Sequence, residues 1–372
     1  MRVPILVAFI GLSGGACAVV ISSPGKAVSA QRRLEMLKRA QVWAAVDTPH
    51  MDLRQGPQDE AAFHPEERIS CEYVPVRLSG RSPKFSCAIT AEDRTKDDRL
   101  KVKYGRDNGE VYGEVAATRL LWALGFAADR MYPVQIVCRE CPTELGGSRI
   151  EKKTFAFDVA AVERKLRGRE VVLADRQGWT WPELDLVDEQ AGGAPRAQVE
   201  ALELLAVFLQ HSDSKSEQQR LICLGAGHGD ESDESRESEG CEHPWAMLND
   251  VGLTFGAASR SNAGDASSVN LARWSRTHVW RGESGCVGNI AKSWTGTLDH
   301  PRISEAGRRF LADLLVQLGD AQLRDLFEVS RFQLRRRAPD TSSPALGSID
   351  EWVSAFKAKR DEIVNRRCNQ PA

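Results

Sequence analysis

Neither sign of charge is in excess in this chain: 50 Lys and Arg stand against 52 Asp and Glu over 372 residues. Bulk charge therefore argues against nucleic acid as a partner, and gives an acidic membrane surface nothing to attract. Internal repeats are also missing, which excludes a solenoid or propeller. Only one pair of cysteines, Cys138 and Cys141, has metal-ligand spacing. A structural zinc site needs a second such pair, and a redox site needs thioredoxin-like flanks; the chain has neither. The acidic run 229–240 (GDESDESRESEG) lacks the ligand spacing of an EF-hand, so it reads as a solvated insertion rather than a calcium loop.

An apolar run is present only at the N-terminus. Arg2 precedes Val3 to Ile21, which is broken by Gly11, Gly14 and Gly15. A basic start, an apolar centre and small residues beyond it read as an export signal, with a retained anchor as the alternative. Ala16-Cys17-Ala18 and Val28-Ser29-Ala30 both fit the cleavage rule. The expected location is periplasmic, secreted, or membrane-anchored through that segment alone. Cysteine usage agrees. Beyond Cys17 lie eight cysteines, an even number that an oxidising compartment would pair. Cys138 and Cys141 suit a tight structural disulfide. Cys71, Cys87, Cys223, Cys241, Cys286 and Cys368 complete the set, with connectivity open.

The chain divides into residues 1–30 (signal or anchor), 31–68 (an arm or linker), 69–150 and 151–372. A helix is expected within Gln31 to Ala45. Tyr73–Leu78, Phe85–Ile89 and Leu100–Tyr104 alternate as strands and suggest a small antiparallel sheet. Helical spacing follows from Glu110 to Leu124, with Gly125 as C-cap, then a strand from Met131 to Cys138. The remainder reads as mainly helical: Asp158 to Leu166, a start at Trp179–Leu184, Ala197 to Leu209, Ser304 to Phe327 and Ile349 to Arg367. The fold class is α+β.

Four short segments carry candidate chemistry. Lys103 ends a strand before a polar turn, where an ammonium can hold a phosphate; Lys101 is the reserve and Lys84 a third candidate. Each also fits an ordinary surface lysine on an edge strand. On the helix, Glu114 (or Glu110, one turn earlier) could fix that lysine, and either also fits a solvated carboxylate. The polar cluster from His211 to Arg220 follows an apolar helix. Within it Asp213 could accept a proton from a hydroxyl, Lys215 could steady a phosphate, and Gln218 could reach a metal through its amide oxygen. Asp250, at the end of an apolar strand and two residues before Gly252, could hold Mg2+. The tryptophans Trp122, Trp179, Trp181, Trp245, Trp274, Trp280 and Trp294 either fill the core or line a ligand surface.

Strand lysine, helix glutamate, Asp213-x-x-x-x-Gln218 and Asp250-x-Gly252 together resemble, in order and spacing, the protein-kinase set. The detail is similar to atypical members: the HipA-type, phosphatidylinositol and secretory-pathway kinases. Glu114, Gly125 and Pro133 match the HipA-type layout of helix, glycine and following strand. The resemblance covers about residues 69–256 and implies a two-lobed fold, with a sheet plus a helix in the first lobe and a mainly helical second lobe. It implies ATP and Mg2+ as cofactors, and transfer to a hydroxyl on an unknown protein or small-molecule acceptor. Lys103 and Glu114 fall at the phosphate-binding pair, Asp213 at the catalytic base, and Gln218 and Asp250 at the metal ligands. Gln218 departs from the usual Asn. No GxGxxG loop is present, and Ser79-Gly80-Arg81-Ser82-Pro83 is the candidate cover for the phosphates. An inactive pseudokinase or an envelope-associated binding scaffold is the rival expectation.

Overall fold

A computed structural model describes residues 27–59, 61–89, 99–142, 152–174, 176–224, 241–258, 268–335 and 347–368. The apolar N-terminal run and the acidic insertion lie outside the described residues.

Five strands close into a barrel: β1 (Arg68–Val74), β2 (Lys84–Ile89), β3 (Arg99–Tyr104), β4 (Arg130–Pro142) and β5 (Lys152–Arg164), in the order β1-β2-β3-β5-β4. Alternate residues point inward, so Ile69, Cys71, Phe85, Cys87, Leu100, Val102, Tyr132, Val134, Ala160 and Val162 fill one cluster. Two expectations are corrected here. The small antiparallel sheet is a closed barrel, because β1 runs parallel to β4 and seals the edge. Asp158 to Leu166 is not a helix; it lies mostly on β5, which pairs with β3 and β4. Residues Val159–Glu163 are buried without alternation, so the period of 2 that marks a strand is lost there and charged flanks imitate a helix. A boundary at 150/151 falls between β4 and β5, which pair with each other.

Helix α1 (Ala30–Lys38) is capped by the Ser29 side chain and is shorter than the expected segment. Helix α2 (Gly109–Ala123) is capped by Asn108, whose amide nitrogen also donates to the Pro83 and Tyr104 carbonyls. One side chain thus starts the helix and ties it to the ends of two strands. Almost every residue of α2 is buried, because it packs between the barrel wall and the larger apolar cluster beyond.

That cluster is built on α3 (Arg196–Leu209), with α4 (Leu271–Arg276), α5 (Glu305–Leu315), α6 (Asp320–Val329) and α7 (Ile349–Asn365) around it. The stretch from Ser304 to Phe327 is two helices, broken at 316–319. Trp179–Leu184 leads into a 3-10 helix over Trp181–Leu186, where the Glu183 carboxylate accepts from the Thr180 N–H and hydroxyl. A small antiparallel sheet of β6 (Arg169–Glu170), β7 (Gln219–Cys223) and β8 (Trp245–Leu248) completes this part.

Arg331 joins the two clusters. Its guanidinium, almost fully buried, donates to the Val134, Asp158 and Ala160 carbonyls and pairs with Glu66. Four disulfides pair all eight cysteines: Cys71–Cys87, Cys138–Cys141, Cys223–Cys241 and Cys286–Cys368. They are compatible with an exported protein. Among the described residues no helix is long and apolar enough to cross a membrane.

Candidate active site

The site starts from the outer face of β3. Its inward residues Leu100 and Val102 fill the barrel, so Lys101 and Lys103 point the other way. Lys103 is wholly buried beneath α2, and its ammonium meets Glu110 at 2.8 Å, Glu114 at 2.7 Å and both oxygens of Asp250 at 3.4 Å. Glu110 and Glu114 lie one helical turn apart, so both reach one point from the same face of α2. Sequence reasoning held them as alternatives; both bind the lysine.

Asp250 arrives because β7 and β8 pair. Gln219 is opposite Leu248, which sets the end of the 211–218 loop beside the residues after β8. The Gln218 carbonyl accepts from the Asn249 N–H at 2.7 Å and from the Asp250 N–H at 3.4 Å. Glycine makes the last approach possible. A Cβ on Gly252 would sit 2.9 Å from Glu110 Cγ, and one on Gly113 would sit 2.8 Å from the Gly252 carbonyl oxygen. Any larger residue at either place would lift α2 off the turn and take its carboxylates away from Lys103.

Electrostatics follow from that packing. Burial opposes the charge on Lys103, but Asp250, Glu114 and Glu110 overcome it and hold the ammonium protonated well above its usual range. Burial would likewise raise Asp250; Lys103 foremost, then Lys101 and the Gly252 N–H, reverse this and keep it ionised. Glu114 is only 1% exposed, and there burial outweighs Lys103 and pushes the carboxyl up to about 8.

A second group adjoins the first. The Gln218 amide nitrogen donates to Asp213 at 2.7 Å, and the Lys215 ammonium lies 3.5 Å from the same Asp213 oxygen. His211 is buried, neither ring nitrogen has a hydrogen-bond partner, and it senses both Asp213 and Asp250. Burial lowers its pKa against those two carboxylates. Lys103, Glu114 and Asp250 are therefore brought together directly, and Asp213, Lys215 and Gln218 are joined to them through the Gln218 carbonyl. Lys101 goes elsewhere: it pairs with the buried Glu163 of β5.

Two features carried no sequence signal. Asp129, buried and raised to about 7 mainly by burial, pairs with Arg220. The loop holding Trp294 is clamped to Ser214, between Asp213 and Lys215: the Thr297 hydroxyl donates to the Ser214 carbonyl at 2.8 Å and the Leu298 N–H to its hydroxyl at 3.2 Å. Trp179, Trp181, Trp274 and Trp280 are core residues, whereas Trp294 is 83% exposed.

No family model matches the sequence, and no curated protein matches it. Among solved structures, the chain is similar to the Helicobacter pylori proinflammatory kinase CtkA, with a TM-score of 0.40 and 8% identity. That likeness covers 81% of this chain and 95% of the other. A functional reading therefore rests on the geometry of the site.

Proposed function

We propose that the chain is an exported, two-lobed, kinase-like protein that binds ATP with Mg2+ between the barrel and the helical part. Its terminal phosphate would pass to a hydroxyl acceptor. The observation that carries this reading is the buried Lys103, which holds a helix glutamate and the Asp250 carboxylate at one point. Asp250 and the Gln218 amide oxygen are the residues that would hold Mg2+, and their chemistry fits: hard oxygen ligands, one of them ionised. When bound, Mg2+ supplies neutralisation of phosphate charge. Asp213 accepts a hydrogen bond from the acceptor hydroxyl and takes its proton as the new phosphorus–oxygen bond forms and ADP leaves. Lys215 stands beside it to balance charge. Catalysis of this kind comes from positioning and electrostatics.

The test is a thermal shift with ATP and Mg2+ on the whole chain. Stabilisation is expected in the parent protein and should vanish in Asp250→Ala; a variant that responds as the parent does would remove the metal site. Trp294 favours a second reading, a nucleotide-independent binding scaffold. It requires that ATP and Mg2+ leave the melting temperature unchanged.

A further inference from the structure

The Lys103 side chain is wholly shut off from solvent, and three carboxylates surround its ammonium. An ammonium carries three N–H donors. Glu110 accepts from it at 2.8 Å, both Asp250 oxygens stand at 3.4 Å, and Glu114 pairs with it at 2.7 Å. A phosphate oxygen therefore reaches this ammonium only if one of the three groups gives up its place.

The three are not equally free to leave. Glu114 stands in the middle of α2 and its side chain is 1% exposed, so a carboxyl that left Lys103 would remain in the core without a partner. Asp250 is 19% exposed but tied to its turn: its carboxylate accepts from the Gly252 N–H at 3.2 Å, and its own N–H donates to the Gln218 carbonyl. Glu110 is also 19% exposed, and it is the second residue of α2. Lys103 is its one ion-pair partner among the described residues.

Glu110 also lies over the Asp250 turn. A Cβ built on Gly252 would fall 2.9 Å from Glu110 Cγ, 3.0 Å from its Cβ and 3.2 Å from its Cδ. The missing side chain of Gly252 is the bed in which the Glu110 side chain rests. One carboxylate thus occupies the lysine and covers the turn that would carry the metal. Swinging it out to solvent needs only side-chain torsions, because the Asn108 side chain accepts from the Glu110 N–H and holds the start of the helix in place.

We infer that Glu110 is a displaceable internal anion: it holds the place of a phosphate on Lys103 and over the Asp250 turn, and ATP with Mg2+ binds by driving it out, while Glu114 stays to position the lysine. This rests on the nucleotide reading above and adds an autoinhibitory contact to the same site. No covalent step is involved. A site that is open only while Glu110 is displaced binds its ligand more weakly by the fraction of time it is open, so removing the plug tightens binding.

The test titrates the whole, disulfide-intact chain with ATP in excess Mg2+ by calorimetry. Glu110→Gln keeps the shape and removes the charge; it should bind about ten-fold more tightly than the parent, the scale of one charge-assisted hydrogen bond that no longer has to be broken. Glu110→Asp keeps a charge at the start of the helix but is one methylene too short to reach Lys103. It should also bind more tightly, and it decides the matter if Glu110→Gln does not fold. Glu114→Gln should bind more weakly, an opposite sign that a general loosening of α2 does not produce. A parent that binds, with neither Glu110 variant tighter, overturns the internal anion and leaves the nucleotide site standing. Binding by the Glu110 variants with none by the parent supports it. No binding by the parent or by either Glu110 variant sinks this inference and the nucleotide reading together.

Discussion

Replacing Lys103 by Met tests the centre of the site. Methionine keeps much of the volume and removes the ammonium, so Glu110, Glu114 and Asp250 are left facing one another. Removing one partner of a buried pair costs about 3–5 kcal/mol, because the remaining charge is uncompensated. At an effective dielectric of about 20, two like charges 4 Å apart add about 4 kcal/mol of repulsion until one takes a proton. Proton uptake makes the loss depend on pH. In the variant the carboxyls titrate higher in the folded state than in the unfolded chain, so the folded form binds more protons and its stability falls as pH rises. The expected loss is about 3–5 kcal/mol at pH 8 and roughly half of that at pH 5.5. Urea unfolding at the two values, followed by tryptophan fluorescence with disulfides intact, measures it. Adding Glu114→Gln should recover part of the loss at pH 8, since one buried carboxylate is gone. A Lys103→Met protein as stable as its parent at both pH values would show that the four groups do not meet.

Two further outcomes follow from individual residues. The Glu114 carboxyl, raised from 4.5 to about 8 by burial, contributes stability that is fully present below its unfolded value and is lost as pH rises to about 8. Glu114→Gln should therefore flatten the stability profile between pH 5 and pH 8 by an amount on the order of a few kcal/mol, read from urea midpoints at a series of pH values. The Cys286–Cys368 disulfide closes a sequence separation of 82 and ties the segment just after α7 to the loop before α5. Replacing both by Ser should cost roughly 4–5 kcal/mol in the chain-entropy estimate, read as a lower urea midpoint, whereas a one-residue replacement should in addition leave a titratable thiol.

Much of the site was legible as local pattern. Alternation places Lys101 and Lys103 on one face of a strand, and the spacing of Glu110 and Glu114 puts both on one face of a helix. The apolar run before Asp250, and the glycine after it, mark a strand that ends in a tight turn. Even cysteine number implied pairing without saying which partners. Where pattern failed, the cause was contact between distant segments. β5 lost its alternation because both faces of its second half are covered, one by the barrel and one by α2 and its neighbours.

From its own pattern the chain determined an α+β architecture, the run of strands and helix from β2 to β4, and which polar residues stand at the ends of apolar segments. Those properties depend on the side-chain periodicity of neighbouring residues. Closure of the barrel by the parallel pairing of β1 with β4, the meeting of three carboxylates on Lys103 and the diversion of Lys101 to Glu163 were decided by tertiary structure alone. None of these is encoded in the side-chain periodicity of neighbouring residues: barrel closure needs distant strands to pair, and the charge partners of Lys103 and Lys101 meet only once α2, β5 and the Asp250 turn are packed together.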